Sequence, residues 1–239
     1  MTLDVSDRYS RQTMLPELGA EGQKRISAAK VLLVGAGGLG SPIATYLTAA
    51  GIGTLGIIDA DKVSVSNLQR QTLYREDEVG QSKVLCAERR LHALNSEVKL
   101  TTYDFFLDKD NAEEIISGYD MVVDGCDNFA TRFIINDLCL DAGKPYIYGS
   151  IQGLNGQVSV FGVADASGKV HSYRDLYNEQ ELASMTPPSK AVLGITPAVT
   201  GSVEANQVLQ LAAGFGEPLA GKLWSIDLRT MESFIIELP

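Results

Sequence analysis

The chain has 239 residues, 45% of them apolar, which suits one large α/β domain with a sizeable core. Its net charge of −10 excludes a nucleic-acid or anionic-membrane surface unless a local basic patch is present. None is seen, because Arg8, Arg11, Lys24, Arg25 and Lys30 are scattered over the first thirty residues and read, Arg11 apart, as a solvated helical face.

No apolar run reaches 18 residues. The start, Met-Thr-Leu-Asp-Val-Ser-Asp-Arg, has no basic region followed by an apolar one, so a cytoplasmic chain without a leader is expected. Residues 8–29 are expected to be an amphipathic helix, followed by a short buried strand at Val31–Val34 and a helix at Ser41–Ala50. Thr54–Ile58 is the second strand, Ser82–Leu94 a helix striped by Val84, Leu85, Leu91 and Leu94, and Val98–Tyr103 the third strand. A helix through Ala112–Ile116, a strand at Met121–Val123, a helix at Thr131–Ala142 closed by Gly143, and a strand at Tyr146–Tyr148 follow. Strands alternating with helices predict a mostly parallel sheet covered on both faces. After Ser150 the pattern changes. Gln157–Val163 and Val170–Tyr173 read as a hairpin around Asp165–Gly168, and 175–190 as a loop. Val203–Ala213 reads as a helix capped by Gly214, and Lys222–Asp227 with Ser233–Leu238 as a final hairpin. The sheet should therefore turn antiparallel near residue 150.

Residues 31–40, Val-Leu-Leu-Val-Gly-Ala-Gly-Gly-Leu-Gly, form a strand, a glycine turn and a helix start, and Asp59 closes the next strand. Gly35, Gly37 and Gly40 let backbone N–H groups approach phosphate at a helix N-terminus, and Asp59 suits a ribose hydroxyl. Alone, that fingerprint suggests a nicotinamide oxidoreductase. The segment Val63-Ser-Val-Ser-Asn-Leu-Gln-Arg-Gln71 and then Gly80-Gln-Ser-Lys83 argue against it. A dinucleotide does not require Asn67, Arg70 and Lys83 close to its ribose acid, whereas the added charge of a triphosphate does. Singly, Arg70 and Lys83 also read as solvated surface charges. Asp124-Gly-Cys-Asp127-Asn128 closes the fourth strand, where ligands of open α/β sheets bind, and Asp127 there suits Mg²⁺ bridging phosphates. Asn128 reads equally as the cap of the following helix. The three cysteines, Cys86, Cys126 and Cys139, fit neither a zinc nor a CxxC spacing, and Cys86 and Cys139 read as buried apolar residues.

Taken together, Arg8-Tyr-Ser-Arg11-Gln, Val34-Gly-Ala-Gly-Gly-Leu-Gly40, Ser66-Asn-Leu-Gln-Arg-Gln71, Lys83 and Cys126-Asp-Asn128 resemble the ThiF/MoeB/HesA family over nearly the whole chain. Its members are similar to ubiquitin-activating enzymes and adenylate the C-terminal glycine of a small ubiquitin-like sulfur carrier. The resemblance implies a Rossmann-like, mostly parallel sheet with antiparallel C-terminal strands. It implies one adenylating domain over 1–239: N-terminal helices to residue 30, a nucleotide-binding half at 31–150, and a carrier-binding part at 151–239 with a crossover loop near 175–191. It implies ATP and Mg²⁺ as cofactors, Gly35, Gly37, Gly38 and Gly40 against the nucleotide, and Asp59 on ribose. Asn67, Arg70 and Lys83 would then contact phosphates, with Asp127 by the magnesium and Asn128 among the nucleotide-binding residues. Arg11 would cross a two-fold interface into the neighbouring subunit, which implies a homodimer and an arginine acting in trans; its local alternative is a helix salt bridge. The partner would be a carrier ending in Gly-Gly, serving thiamine thiazole or molybdopterin synthesis, with thiamine slightly favoured, and no nucleic acid or membrane.

Two departures from the family narrow this. Many members hold a structural zinc with two CxxC pairs. The first would fall at Ser172-Tyr-Arg-Asp175 and the second beyond Pro239, so no zinc is expected. The crossover-loop cysteine that takes the activated carrier in several members falls at Pro187, and residues 140–239 contain no cysteine. A separate sulfur donor is therefore expected. Ser184 and Ser189 read as plain loop residues, and Cys126 is a weak alternative thiol. The competing readings are adenylation of another carboxylate, on a peptide C-terminus or linked to tRNA, and a non-catalytic nucleotide-binding homologue.

Overall fold

The computed structural model describes residues 5–185 and 189–239. The elements, in chain order, begin with α1 (Val5–Arg8), α2 (Ser10–Thr13), α3 (Gly19–Ala28), β1 (Lys30–Val34), α4 (Gly40–Ala50) and β2 (Thr54–Ile58). They continue with α5 (Lys83–Leu94), β3 (Lys99–Tyr103), α6 (Ala112–Ser117), β4 (Met121–Asp124), α7 (Phe129–Asp141), β5 (Tyr146–Gln152) and β6 (Asn155–Phe161). The last are α8 (Tyr173–Leu176), α9 (Glu179–Ser184), α10 (Ile195–Ala213), β7 (Lys222–Asp227) and β8 (Glu232–Glu237). The eight strands form one sheet in the order β3-β2-β1-β4-β5-β6-β7-β8. β3 to β5 pair in parallel, and every pair from β5 to β8 is antiparallel. The change of sense thus falls at the β5–β6 hairpin, next to residue 150 as expected.

Val31, Leu32, Leu33 and Val34 are all buried, as a parallel strand covered on both faces requires. Leu33 joins the core beneath α3, α4, α5 and α10, while Leu32 joins the opposite core with Ile116, Phe133 and Tyr146. At about 25 cal/mol per Å² of buried apolar surface, each such side chain contributes on the order of 2 kcal/mol. In register, Val34 lies beside both Ile58 and Asp124, so the carboxyl ends of β1, β2 and β4 finish together.

Five expectations are corrected. Residues 8–29 are not one helix, because Pro16 lacks an N–H and separates α2 from α3. Val170–Tyr173 is not a strand. It makes one isolated bridge, Ala164 to Val170, and β6 pairs instead with β5 and β7. Residues 175–190 are not all loop, since Ser172 caps α8 through Arg174 N–H and Asn178 caps α9 through the N–H groups of Gln180 and Glu181. Finally, α10 starts at Ile195 rather than Val203. Pro197 sits in its first turn, where an N–H has no helical acceptor, so proline is tolerated there. Gly201 lets α10 press on α4, as a Cβ there would lie 2.6 Å from the Leu39 carbonyl oxygen. Arg8 and Arg25 are also not purely solvated: Arg8 donates to Leu94 O (3.1 Å), and Arg25 Nε to Ala213 O (2.8 Å) at the end of α10. Pro187 lies outside the described residues.

Candidate adenylylation site

The glycine turn is held by its own strands. Gly35 has φ 95°, and its N–H donates to Ile58 O (2.8 Å). A Cβ there would lie 2.5 Å from Gly125 O, and one at Gly40 would lie 2.2 Å from Gly35 O, so both positions exclude any side chain. Gly37 differs. Its Cβ would make only ordinary contacts, at 3.6 Å to Gln71 Nε2 and 3.9 Å to Gly125 O. Packing within the chain does not require glycine at 37, which leaves the turn open on the side facing the carboxyl ends of the strands. Over Gly38 lie Pro197 of α10 and the Arg70 side chain, at 3.2 and 3.5 Å from where a Cβ would stand.

Asp59 is nearly buried, 9% exposed. Its Oδ2 accepts the Ala36 N–H (2.8 Å) and its Oδ1 the Asp61 N–H (2.8 Å). The ribose candidate therefore also braces the glycine turn. The Tyr74 hydroxyl donates to Ala36 O (2.6 Å) from below. Lys83 opens α5 and is 3% exposed. Its chain position is set by Lys83 N–H to Asp61 O (3.0 Å) and by the Lys62–Ser82 bridge, which pinches the segment between them into a loop. Its Nζ lies 2.8 Å from Asp61 Oδ2 and 3.7 Å from Asp59 Oδ2. Inside that loop, Asn67 O accepts the N–H groups of Arg70 and Gln71 at 3.0 and 2.9 Å, and Arg70 Nη1 donates to Ser66 O (3.1 Å).

Across the crevice, Asp124 is fully buried and accepts from Arg132 Nε (2.8 Å), Tyr146 Oη (3.0 Å) and Cys126 Sγ (2.8 Å). Arg132 Nη2 also donates to Cys126 O (2.9 Å) and Gly149 O (3.0 Å). This network fixes the loop that presents Asp127, whose side chain is exposed at the end of β4. Asn128 Oδ1 accepts the Thr131 N–H (2.9 Å), so its oxygen caps α7. Burial and the neighbouring Asp124 carboxylate hold the Cys126 thiol well above its ordinary pKa, which makes it a poor nucleophile. Cys86 and Cys139 are buried.

Sequence reasoning missed Asp61, Tyr74, Arg132 and Glu204. Glu204 on α10 is fully buried with neither carboxylate oxygen hydrogen-bonded among the described residues. Its carboxyl fills the hollow over Gly149, where a Cβ would lie 2.1 Å from Glu204 Cδ. Burial, then the nearby Asp124, push its pKa far up, so it is held as the neutral acid.

One site candidate stands apart. Arg11, on α2, is exposed and makes no hydrogen bond or ion pair among the described residues. Its neighbour Gln12 donates to Ala50 O (3.3 Å), at the carboxyl end of α4, whereas the glycine turn leads into the amino end. With 11 residues, α4 spans roughly 16 Å between them.

At the position of the family's first zinc pair, Ser172 and Asp175 form the capping box of α8. Among the described residues no group of three or more His, Cys, Asp or Glu side chains is arranged to hold a metal ion.

A family model described as the ThiF family matches residues 9–239. The chain belongs to the ThiF family. This ThiF-family chain is similar to a sulfur carrier protein adenylyltransferase of Thermus thermophilus, 44% identical over 229 residues, 95% of this chain and 84% of that protein. It is likewise 44% identical to the probable adenylyltransferase/sulfurtransferase MoeZ of Mycobacterium tuberculosis over 94% of its own length, but spans only 58% of MoeZ. Its fold matches the crystal structure of selenomethionine PaaA with TM-score 0.82 and 27% identity, over all of this chain and 75% of that one. The chain is an adenylyltransferase. Among the described residues no helix is long and apolar enough to cross a membrane.

Proposed function

We propose that this chain uses ATP to adenylate the C-terminal glycine carboxylate of a small ubiquitin-like sulfur carrier, releasing pyrophosphate. The observation that carries the reading is the convergence of an open glycine turn, Asp59, Arg70, Lys83 and Asp127 at the carboxyl ends of β1, β2 and β4. The Thermus relative, named for this activity, supports the choice of carrier as substrate. Residues 31–150 would hold the nucleotide, and 151–239, with the crossover segment near 175–191, the carrier.

In the proposed step a carboxylate oxygen of the carrier attacks the α-phosphorus, and the bond from that phosphorus to the β-phosphate oxygen breaks. The nucleophile is already an anion, so no general base is required. The chain's work is to bring two anions together and offset the charge that develops. Backbone N–H groups of Gly37 and Gly38 approach the phosphates, with Gly35 and Gly40 shaping the turn. Asp59 orients the ribose while its other contacts keep the turn in place. Asn67, Arg70 and Lys83 face the phosphates. On arrival of the triphosphate, Lys83 can turn from Asp61 without losing all its acidic contacts, because Asp59 stays within reach. Asp127 has the donor chemistry for Mg²⁺, which typically takes one or two carboxylates and completes its shell with phosphate and water. Bound there, the ion would neutralise phosphate charge, and the Asn128 amide N–H₂, whose oxygen caps α7, has the donor chemistry for a phosphate oxygen. Zinc has no part in this reading.

Arg11 is assigned to the site of a second copy. In support, it lies at the wrong end of α4 for its own site, and exposed apolar side chains surround the route to a partner. Met14 and Leu15 follow it, and Tyr46, Ile195, Ala198, Val199 and Val203 line an open groove of about 530 Å³ between α4 and α10. A homodimer covering these surfaces would complete two sites at once. Sulfur would come from a separate donor, since Cys126 is poorly nucleophilic. The pathway served is thiamine thiazole or molybdopterin synthesis.

The test is ATP–pyrophosphate exchange with purified carriers of both classes. Exchange that requires the carrier's terminal glycine supports the reading. Its absence with every carrier tested, in the presence of Mg²⁺, overturns it.

A further inference from the structure

The loop that follows β2 carries two acids that serve different groups. Asp59, at its start, is nearly buried, and backbone engages both of its oxygens. Oδ2 accepts the Ala36 N–H of the glycine turn and Oδ1 the Asp61 N–H, each at 2.8 Å. Asp61 has one side-chain partner among the described residues, the Lys83 ammonium, 2.8 Å from its Oδ2. Lys83 Nζ also lies 3.7 Å from Asp59 Oδ2, an ion-pair distance but too long for a hydrogen bond. In the free protein, therefore, the lysine assigned to phosphates is already engaged, and Asp61 holds it.

The backbone builds this pairing in. The Lys83 N–H donates to Asp61 O (3.0 Å), and Lys62 bridges to Ser82, so the two segments run side by side. The ends of the pair differ in burial. The Lys83 side chain is 4% exposed and that of Asp61 58% exposed. Asp61 released from the pair returns to water at little cost, because an ion pair with one end in solvent contributes little. Lys83 released from it keeps Asp59 at 3.7 Å, so its charge is not left bare inside the protein. The lysine is thus free to change acceptor when one arrives with more charge than a single carboxylate. A di- or triphosphate is such an acceptor. The glycine turn is where it would arrive, and the turn is close: the Ala36 N–H and Lys83 Nζ converge on the same Asp59 oxygen.

We infer that Asp61 is the acceptor that polyphosphate must displace from Lys83, and that it takes the lysine back as pyrophosphate leaves. This rests on the reading of Lys83 as a phosphate contact of an ATP-dependent adenylyltransferase. Asp61 acts through Lys83 and is a positioning residue. It keeps the ammonium beside the glycine turn in the free protein, and it weakens the hold on ATP and pyrophosphate alike. Removing its charge should therefore tighten binding, the opposite of what loss of a structural brace does.

The experiment is calorimetric titration of wild type, Asp61→Asn, Asp61→Ala, Lys83→Met and the Asp61→Asn/Lys83→Met double variant with ATP, pyrophosphate and tripolyphosphate. Asp61→Asn and Asp61→Ala should bind all three roughly 2- to 5-fold more tightly than wild type, the worth of a half-exposed ion pair. In carrier adenylation, pyrophosphate should inhibit both variants at a correspondingly lower concentration. More than half of the Asp61 side chain is exposed, so both should unfold near the wild-type temperature. Lys83→Met removes the group competed for, so adding Asp61→Asn to it should bring a clearly smaller gain. The inference is overturned if neither Asp61 variant binds more tightly than wild type, as a plain brace would predict. It is equally overturned if the gain is as large without Lys83, which would mark direct repulsion between Asp61 and phosphate. A wild-type chain that binds none of the three ligands overturns the reading of Lys83 and this inference together, whereas binding by wild type with no gain in the variants overturns this inference alone.

Discussion

Replacing Glu204 by glutamine should stabilise the protein by an amount that grows with pH. Glu204 is fully buried, unpartnered among the described residues, and packed on the backbone of β5, so the fold accommodates it only with its proton. In the unfolded chain the same carboxyl titrates near its ordinary value of 4.5. Above that pH the unfolded state has released a proton that the native state retains. The native state then binds one more proton, and unfolding free energy falls with rising pH by about 1.4 kcal/mol per unit until the folded-state pKa is reached. Below the unfolded pKa the penalty disappears. Glutamine has the same shape and cannot ionise, so it escapes the penalty. Over each pH unit in which the folded carboxyl keeps its proton, the advantage of Glu204→Gln over wild type should widen by about 1.4 kcal/mol, some 3–6 °C in melting temperature for a chain of this size. Urea unfolding of both proteins in matched buffers reads this directly, because every other titrating group cancels in the difference. A gap between the two that stays constant from pH 5.5 to 7.5 would refute the reasoning, as would a variant less stable than wild type at pH 7.5.

Three further outcomes follow from the site. Gly37→Ala should fold normally and lose ATP affinity, since its Cβ would make only ordinary contacts with Gln71 and Gly125 O, whereas Gly40→Ala should be destabilised by more than 1 kcal/mol through its clash with Gly35 O; thermal melts and ATP titration separate the two. Lys83→Ala and Asp127→Ala should each lower pyrophosphate exchange by about 10²- to 10³-fold, and Asp127→Ala, exposed at its loop, should do so without loss of melting temperature. Arg11→Ala and Lys83→Ala, each inactive alone, should recover about a quarter of wild-type activity when mixed one to one and allowed to exchange subunits, because half the dimers are mixed and each of those has one complete site. No recovery in proven mixed dimers would place Arg11 outside the trans site.

Much of the nucleotide half was legible because its signals are local. The buried run Val31–Val34, the obligatory Gly35 and Gly40, and Asp59 lie within thirty residues and are set by one strand–turn–helix–strand unit. Of the two uses open to Asn128, the helix cap is present. What the sequence concealed depends on contacts between distant elements. Arg132 looks like an exposed residue of an amphipathic helix until β4 and β5 bring Asp124, Tyr146 and Gly149 O around it. Glu204 looks like a surface acid until Gly149 opens a hollow for it. Val170–Tyr173 alternates like a strand, yet β7, far along the chain, takes the place beside β6. The Ser172 and Asn178 caps are local signals hidden by the polar composition of the segment they start.

The most direct measurement of the central claim is the intact mass of the carrier after incubation with this chain, ATP and Mg²⁺. The account predicts a carrier heavier by one adenylyl group, dependent on Asp127 and lost when the carrier's terminal glycine is removed. A carrier of unchanged mass under conditions where the chain binds ATP, or an adenylyl group that persists without the terminal glycine, would contradict it.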